Sequence, residues 1–193
     1  MSVVDICNSA LNMVGGNQII ALTEDSKAAR ICNQRYENVR DAVFRAHPWN
    51  CLVARATLAP DSDTPTFEWG YQFTLPASCL RVLQLEYLDT VFRVEGRKIL
   101  SDESTINLIY LQKIEDTVQY DTLLTETIAA RLAAEICYPL VASATLSRQL
   151  YELYERKLKE ARFVDATEGT PASIDQVADT GSIEANTFVA ARY

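Results

Sequence analysis

The spacing of apolar residues changes twice along this chain, which rules out any single repeating architecture. From Ser2 to Ala46, and again from Asp121 to Phe163, large apolar side chains recur every three or four positions, as on one face of a helix. Between Cys51 and residue 118 they alternate or run in short blocks, as in strands. Two helical stretches therefore flank a β-rich middle.

Local signals sharpen the helices. Ser2 followed three residues later by Asp5 resembles a capping box, and Val3, Ile6, Ala10 and Met13 share a face, which predicts a helix over 2–14 stopped by Gly15 and Gly16. A second helix is predicted from Asp25 or Ser26 to Ala46, with Ala28, Cys32, Tyr36, Val39 and Val43 inward and Arg30, Glu37 and Asp41 outward. Pro48 disfavours helical geometry at the preceding residue and has no N–H to extend the ladder, so this helix must end at His47.

His47 is the only histidine. Together with Pro48 and Trp49 it reads as a structural helix end: the imidazole sits where it can bond free carbonyls and meet the negative end of the dipole, and Trp49 returns to the core. A catalytic or metal role competes poorly, because no second histidine, neighbouring acid or spaced ligand set accompanies it in sequence. Cys51 lies close by, but without a third, orienting group a thiolate–imidazole pair is not indicated.

In the middle, "CLVARATLA", "FEWGYQFTL", "RVLQLEYL", "VFRV", "KIL" and "INLIYL" are separated by turn clusters and predict a mostly antiparallel region, with "VFRVEGRKIL" a hairpin turning at Gly96. Helical spacing resumes after Asp121, an N-cap candidate, at Leu124, Ile128, Leu132 and Ile136, with Pro139 expected to kink or interrupt it. A last helix is predicted from Ser143 or Ser147 to Phe163. The expected architecture is mainly α within the α+β class. Residues 1–50 and 121–164 supply the helices of a bundle, 51–120 an inserted antiparallel β region, and 165–193 an extended tail.

Composition narrows the chemistry. A formal charge of −8 opposes a tight grip on DNA phosphates. Half of that charge lies in the tail, which is poor in large apolar side chains. Five dispersed cysteines, Cys7, Cys32, Cys51, Cys79 and Cys137, without a CxxC pair, point to reduced thiols and away from a disulfide framework or zinc site. No apolar run reaches the roughly 18–20 residues of a membrane span, and no signal sequence is visible, so a cytosolic product without a membrane partner is expected. No phosphate loop, HExxH or GxSxG occurs, and no cofactor, metal site or catalytic residue is predicted. The competing reading is a carbohydrate-active or other hydrolytic tail component that uses Glu68 and Glu86 as a carboxylate pair beside Trp49, Trp69 and the tyrosines.

The stretches "EDSKAARICNQRYENVRDAVFRAHPWNCLVARATLA", "FEWGYQFTLPASCLRVL", "VEGRKILSDESTINLIYL", "TETIAARLAAEICYPLV" and "LYELYERKLKEARFVDATEGTP" resemble the tail tubular protein A family, the head-to-tail adaptors of tailed bacteriophages. The likeness covers almost the whole chain, and its most specific elements are the stretch from Glu24 to Asn50 ending in "HPWN", the "LPASCLRV" segment and the "DATEGTP" that opens the tail. The resemblance implies a non-enzymatic virion protein that assembles in the host cytoplasm as a dodecameric ring beneath the portal. That ring extends the channel through which DNA passes without specific binding, and it docks a distal tail protein, a nozzle or a tail tube or terminator. Portal attachment is expected in the tail, whose spaced anchors are Ile174, Val177, Ile183, Phe188, Val189, Arg192 and Tyr193.

Overall fold

The computed structural model describes residues 1–87 and 89–168. Helix α1 (Val3–Val14) begins at the expected capping box: Ser2 Oγ accepts from the Asp5 N–H at 3.2 Å and Asp5 Oδ2 from the Ser2 N–H at 2.7 Å. It ends at Gly15, left-handed at φ 75, with the Gly16 N–H reaching back to the Leu11 carbonyl at 2.9 Å. Helix α2 (Lys27–Ala46) is capped by Ser26, whose hydroxyl accepts from the Ala29 N–H.

Six strands follow: β1 (Val53–Leu58), β2 (Tyr71–Thr74), β3 (Cys79–Leu85), β4 (Phe92–Glu95), β5 (Lys98–Ser101) and β6 (Ile106–Gln112). Helices α3 (Thr122–Val141) and α4 (Ala144–Thr167) close the described chain. Asp121 caps α3 through bonds from the Leu123 and Leu124 N–H groups. Pro139 neither breaks nor shortens α3, which continues to Val141 and stops at Ala142, left-handed at φ 54. So near the end of the helix, the missing Pro139 N–H removes a single bond, from the Glu135 carbonyl.

Mainly α is the wrong class for this chain. Over the described residues 49% are helical and 19% lie in two three-stranded antiparallel sheets, so the fold is a mixed α+β one and not a helical bundle with a β insert. The reason is pairing that alternation alone does not reveal. One sheet has the order β1-β6-β3, with the last strand of the region between the first and third, and the other has the order β2-β5-β4.

The chain forms two compact units. The first comprises Met1–Ala54, Ala77–Leu83 and Tyr110–Ala166. Its centre is α3, which packs against both α1 and α2. The Leu124–Ile136 stripe is buried as its spacing requires, but Ala129, Ala130, Ala133 and Ala134 are buried too, on other faces. Alanines there let neighbours approach closely, so α3 is enclosed nearly all round. Cys7, Cys32 and Cys137 are buried free thiols in this core.

The second unit contains Arg55–Pro76 and Gln84–Ile109. Its β2-β5-β4 sheet pairs Tyr71–Thr74 with Lys98–Ser101, and Phe92–Glu95 with the same strand. The connection from β1 to β2 is tied at both roots. Asp61 accepts from Thr74 and forms an ion pair with Lys98 at 3.0 Å, and the Gly70 N–H donates to Asp102 at 2.8 Å. Lys98 is the main cause that holds the Asp61 carboxyl below the usual carboxylate range, and Thr74 adds to it. The folded value is therefore the lower one, so this anchor stabilises fully above the ordinary carboxylate pKa and is lost as pH falls through the lowered one. Asp61→Asn is expected to abolish that acid-side dependence and speed amide hydrogen exchange at Thr74; unchanged exchange at neutral pH would mean that the root holds without the carboxylate.

Candidate functional site

At the end of α2, His47 and Asn50 meet Asp165 from the last turn of α4. His47 is the C-cap of α2 and extended, at φ −150 and ψ 149, as the proline after it requires. Trp49 is fully buried: its Nε1 donates to the Val43 carbonyl at 3.0 Å, and its ring meets the His47 imidazole edge-on at 4.9 Å.

The imidazole does not turn to the free carbonyls of α2. Its Nε2 lies 3.0 Å from Oδ2 of Asp165 in α4, and both residues are almost completely buried, at 6% and 7% exposed. Asp165 also accepts the Asn50 N–H, at 3.0 Å to Oδ1 and 3.3 Å to Oδ2, while Asn50 Nδ2 donates to the Asp165 backbone carbonyl at 2.6 Å. A carboxylate only accepts, so the proton it shares with the imidazole belongs to Nε2. The enclosed Nδ1 has no hydrogen-bond partner among the described residues. The buried side chain of Asp165 is thus supported by two donors, His47 Nε2 and the Asn50 N–H, the condition under which burial of a polar group is tolerated.

Asp165 is the group that sequence reasoning missed. The expected tail begins at Asp165, yet α4 runs on to Thr167 and buries it. A signal was present: the buried positions Leu150, Tyr154 and Ala161 of α4 continue four residues on to Asp165, so the inward stripe ends in an acid that needs a partner. The orienting acid absent beside His47 in sequence is supplied from a distance. Cys51, only partly buried, has its thiol pushed up by burial, with the charge of Asp165 adding to the effect and a backbone hydrogen bond at Asp121 offsetting part of it, a net direction opposite to an activated thiolate.

The Glu68–Glu86 pair is not brought together. Glu86 accepts from Asn107 Nδ2 at 2.5 Å, and Asn107 Oδ1 accepts from Thr57 at 2.7 Å, along one wall of an open cleft of about 270 Å³. Glu68, in a left-handed conformation at φ 70, faces Arg93 at 3.9 Å in a different cleft of about 350 Å³ that also holds Phe67 and Trp69. Two carboxylates that act on one glycosidic bond must flank it within about 10 Å in one cleft. Among the described residues no group of three or more His, Cys, Asp or Glu is placed to hold a metal ion. The proposed portal anchors Ile174, Val177, Ile183, Phe188, Val189, Arg192 and Tyr193 lie outside the described residues.

Comparison with protein-family models and with curated proteins gave no match to this chain. The His47–Asn50–Asp165 cluster is therefore interpreted on its own geometry. It joins the end of α2 to the last turn of α4.

Proposed function

We propose that this chain is a non-enzymatic head-to-tail adaptor of a tailed bacteriophage that assembles as a dodecameric ring beneath the portal. The ring continues the DNA channel and docks the next tail component. The observation that carries this reading is the meeting of "HPWN" with the opening of "DATEGTP". They are the end of one and the start of another of the three stretches in which the resemblance to tail tubular protein A is most specific, and they contact each other through Asn50 and Asp165, which are 115 residues apart. Residues that look distinctive for a shared reason are expected to share a structural task, and here they set the root of the segment to which portal attachment is assigned. The net −8 charge suits a channel that DNA traverses without being gripped.

Attachment through that segment follows from its composition. Ile174, Val177, Ile183, Phe188, Val189 and Tyr193 are too few to bury a core of their own, yet they suffice as anchors on a partner, with Arg192 and the intervening acids at the rim. Many copies on one ring raise avidity by about 10²–10⁴ over a single attachment. Removing residues 170–193 spares Asp165 and all of α4. The truncated chain is expected to keep its melting transition and lose portal binding in a pull-down on portal rings. Undiminished binding by the folded truncation would move the attachment surface to the described units.

A further inference from the structure

The β2-β5-β4 sheet has two edges, and among the described residues only the β2 edge has partners. Along β2 the Asp61 N–H donates to the Gln72 carbonyl at 2.8 Å and the Thr74 N–H donates to the Asp61 carboxylate at 3.2 Å, which engages one outward group of each residue. Along β4 no described residue bonds the outward backbone. Which groups face outward follows from the hairpin. Glu95 pairs with Lys98 across a two-residue turn at Gly96, φ 58, and Arg97. The pair flanking such a turn is hydrogen-bonded, so bonded and non-bonded pairs alternate away from it. Val94 opposite Ile99 and Phe92 opposite Ser101 are then the non-bonded pairs, and the N–H and C=O groups of Val94 and Phe92 point away from β5.

An open edge with bare N–H and C=O groups is a template for another strand, and folded proteins usually blunt it with charge. Here the charges select a partner. Arg93 and Glu95 lie on one face of β4, and Phe92 and Val94 on the other. When two copies of β4 run antiparallel about a two-fold axis at Val94, Val94 bonds Val94 of the second copy. Arg93 then faces Glu95 of the second copy twice, in non-bonded pairs, where side chains come closest. An axis at Arg93 or at Glu95 would instead place like charges opposite each other. Among the described residues of one chain Arg93 has only loose, exposed acid neighbours, Glu95 at 3.5 Å and Glu68 at 3.9 Å, which it can exchange for others.

We propose that the open edge of β4 binds β4 of a second copy of this chain, antiparallel and in the register that pairs Arg93 with Glu95, to form a continuous six-stranded sheet. A two-fold contact of this kind cannot propagate round a cyclic ring, so the pairing belongs to the unassembled chain, where it covers an edge that would otherwise aggregate. Only that assignment to the unassembled chain rests on the adaptor reading; the pairing itself does not. With four residues of edge a side the dimer is weak, with a dissociation constant on the order of 100 µM.

The test is sedimentation equilibrium of the full-length chain from about 10 to 500 µM, bracketing that constant, with circular dichroism to verify each variant's fold. Arg93→Glu and Glu95→Arg each place like charges in both cross-pairs and are expected to weaken the dimer at least about tenfold, whereas the double variant restores opposite charges and returns it near wild type. Val94→Pro removes an outward N–H that the fold does not use and is expected to leave a folded monomer. A wild-type chain that stays monomeric throughout overturns the proposal. So does a dimer indifferent to the single charge reversals, or a folded double variant that remains monomeric.

Discussion

Asp165→Ala is expected to destabilise the helical unit by about 3–5 kcal/mol, because it removes one partner of a buried pair and leaves the other polar groups behind. His47 Nε2 and the Asn50 N–H both lose their acceptor in a place closed to water, and each unsatisfied donor costs about 1–3 kcal/mol. In a protein of this size the change corresponds to a fall in Tm of roughly 10 °C. Asp165→Asn, which keeps one acceptor oxygen in the same place, is expected to lose about half as much. His47→Gln retains an N–H donor near Asp165 and is expected to cost less again, about 1 kcal/mol. Urea unfolding of the three variants checks that order. If Asp165→Ala is as stable as wild type, the cluster does not hold α4 to the end of α2.

Trp49→Ala should be comparably damaging, at about 3–5 kcal/mol, since the indole is completely enclosed and its removal leaves a cavity that a close-packed core fills only in part. The loss has a second component: the Val43 carbonyl gives up the Nε1 donor, and the imidazole of His47 gives up the ring it stands against. Trp49→Phe keeps most of the volume without the N–H, so a loss of about 1–2 kcal/mol is expected in the same titration. Equal losses for alanine and phenylalanine would show that the hydrogen bond, not the packing, governs this position.

These two residues show what was legible in the sequence and what was not. The burial of Trp49 follows from local facts: a proline that ends the helix, an apolar ring directly after it, and a core on the inner face of α2. The ends of α1 and the starts of α2 and α3 are equally local, since Ser2 with Asp5, Ser26 and Asp121 carry their own capping chemistry. Asp165 was illegible because its meaning lies in a partner more than a hundred residues away. Polar neighbours made its surroundings look like a tail, although the stripe of α4 pointed it inward. The β region was legible as strands but not as two sheets, because alternation reports which face is buried and not which strand lies alongside. The Glu68–Glu86 reading failed for the same reason: spacing along strands does not place two acids in one cleft.

The pairing proposed for the β4 edge, which has no partner among the described residues, likewise depends on a register that sequence alone leaves open, and the Glu95–Lys98 pairing fixes which backbone groups face outward. The adaptor reading draws on a different part of the molecule, the cluster at His47 and the segment that starts beyond Thr167. Native mass spectrometry of portal rings mixed with the full-length chain tests it most directly. The account predicts a discrete species of the portal plus a complete ring of this chain, and no such species with the chain lacking residues 170–193. Portal rings that keep their unbound mass in the presence of excess folded, full-length chain would contradict it.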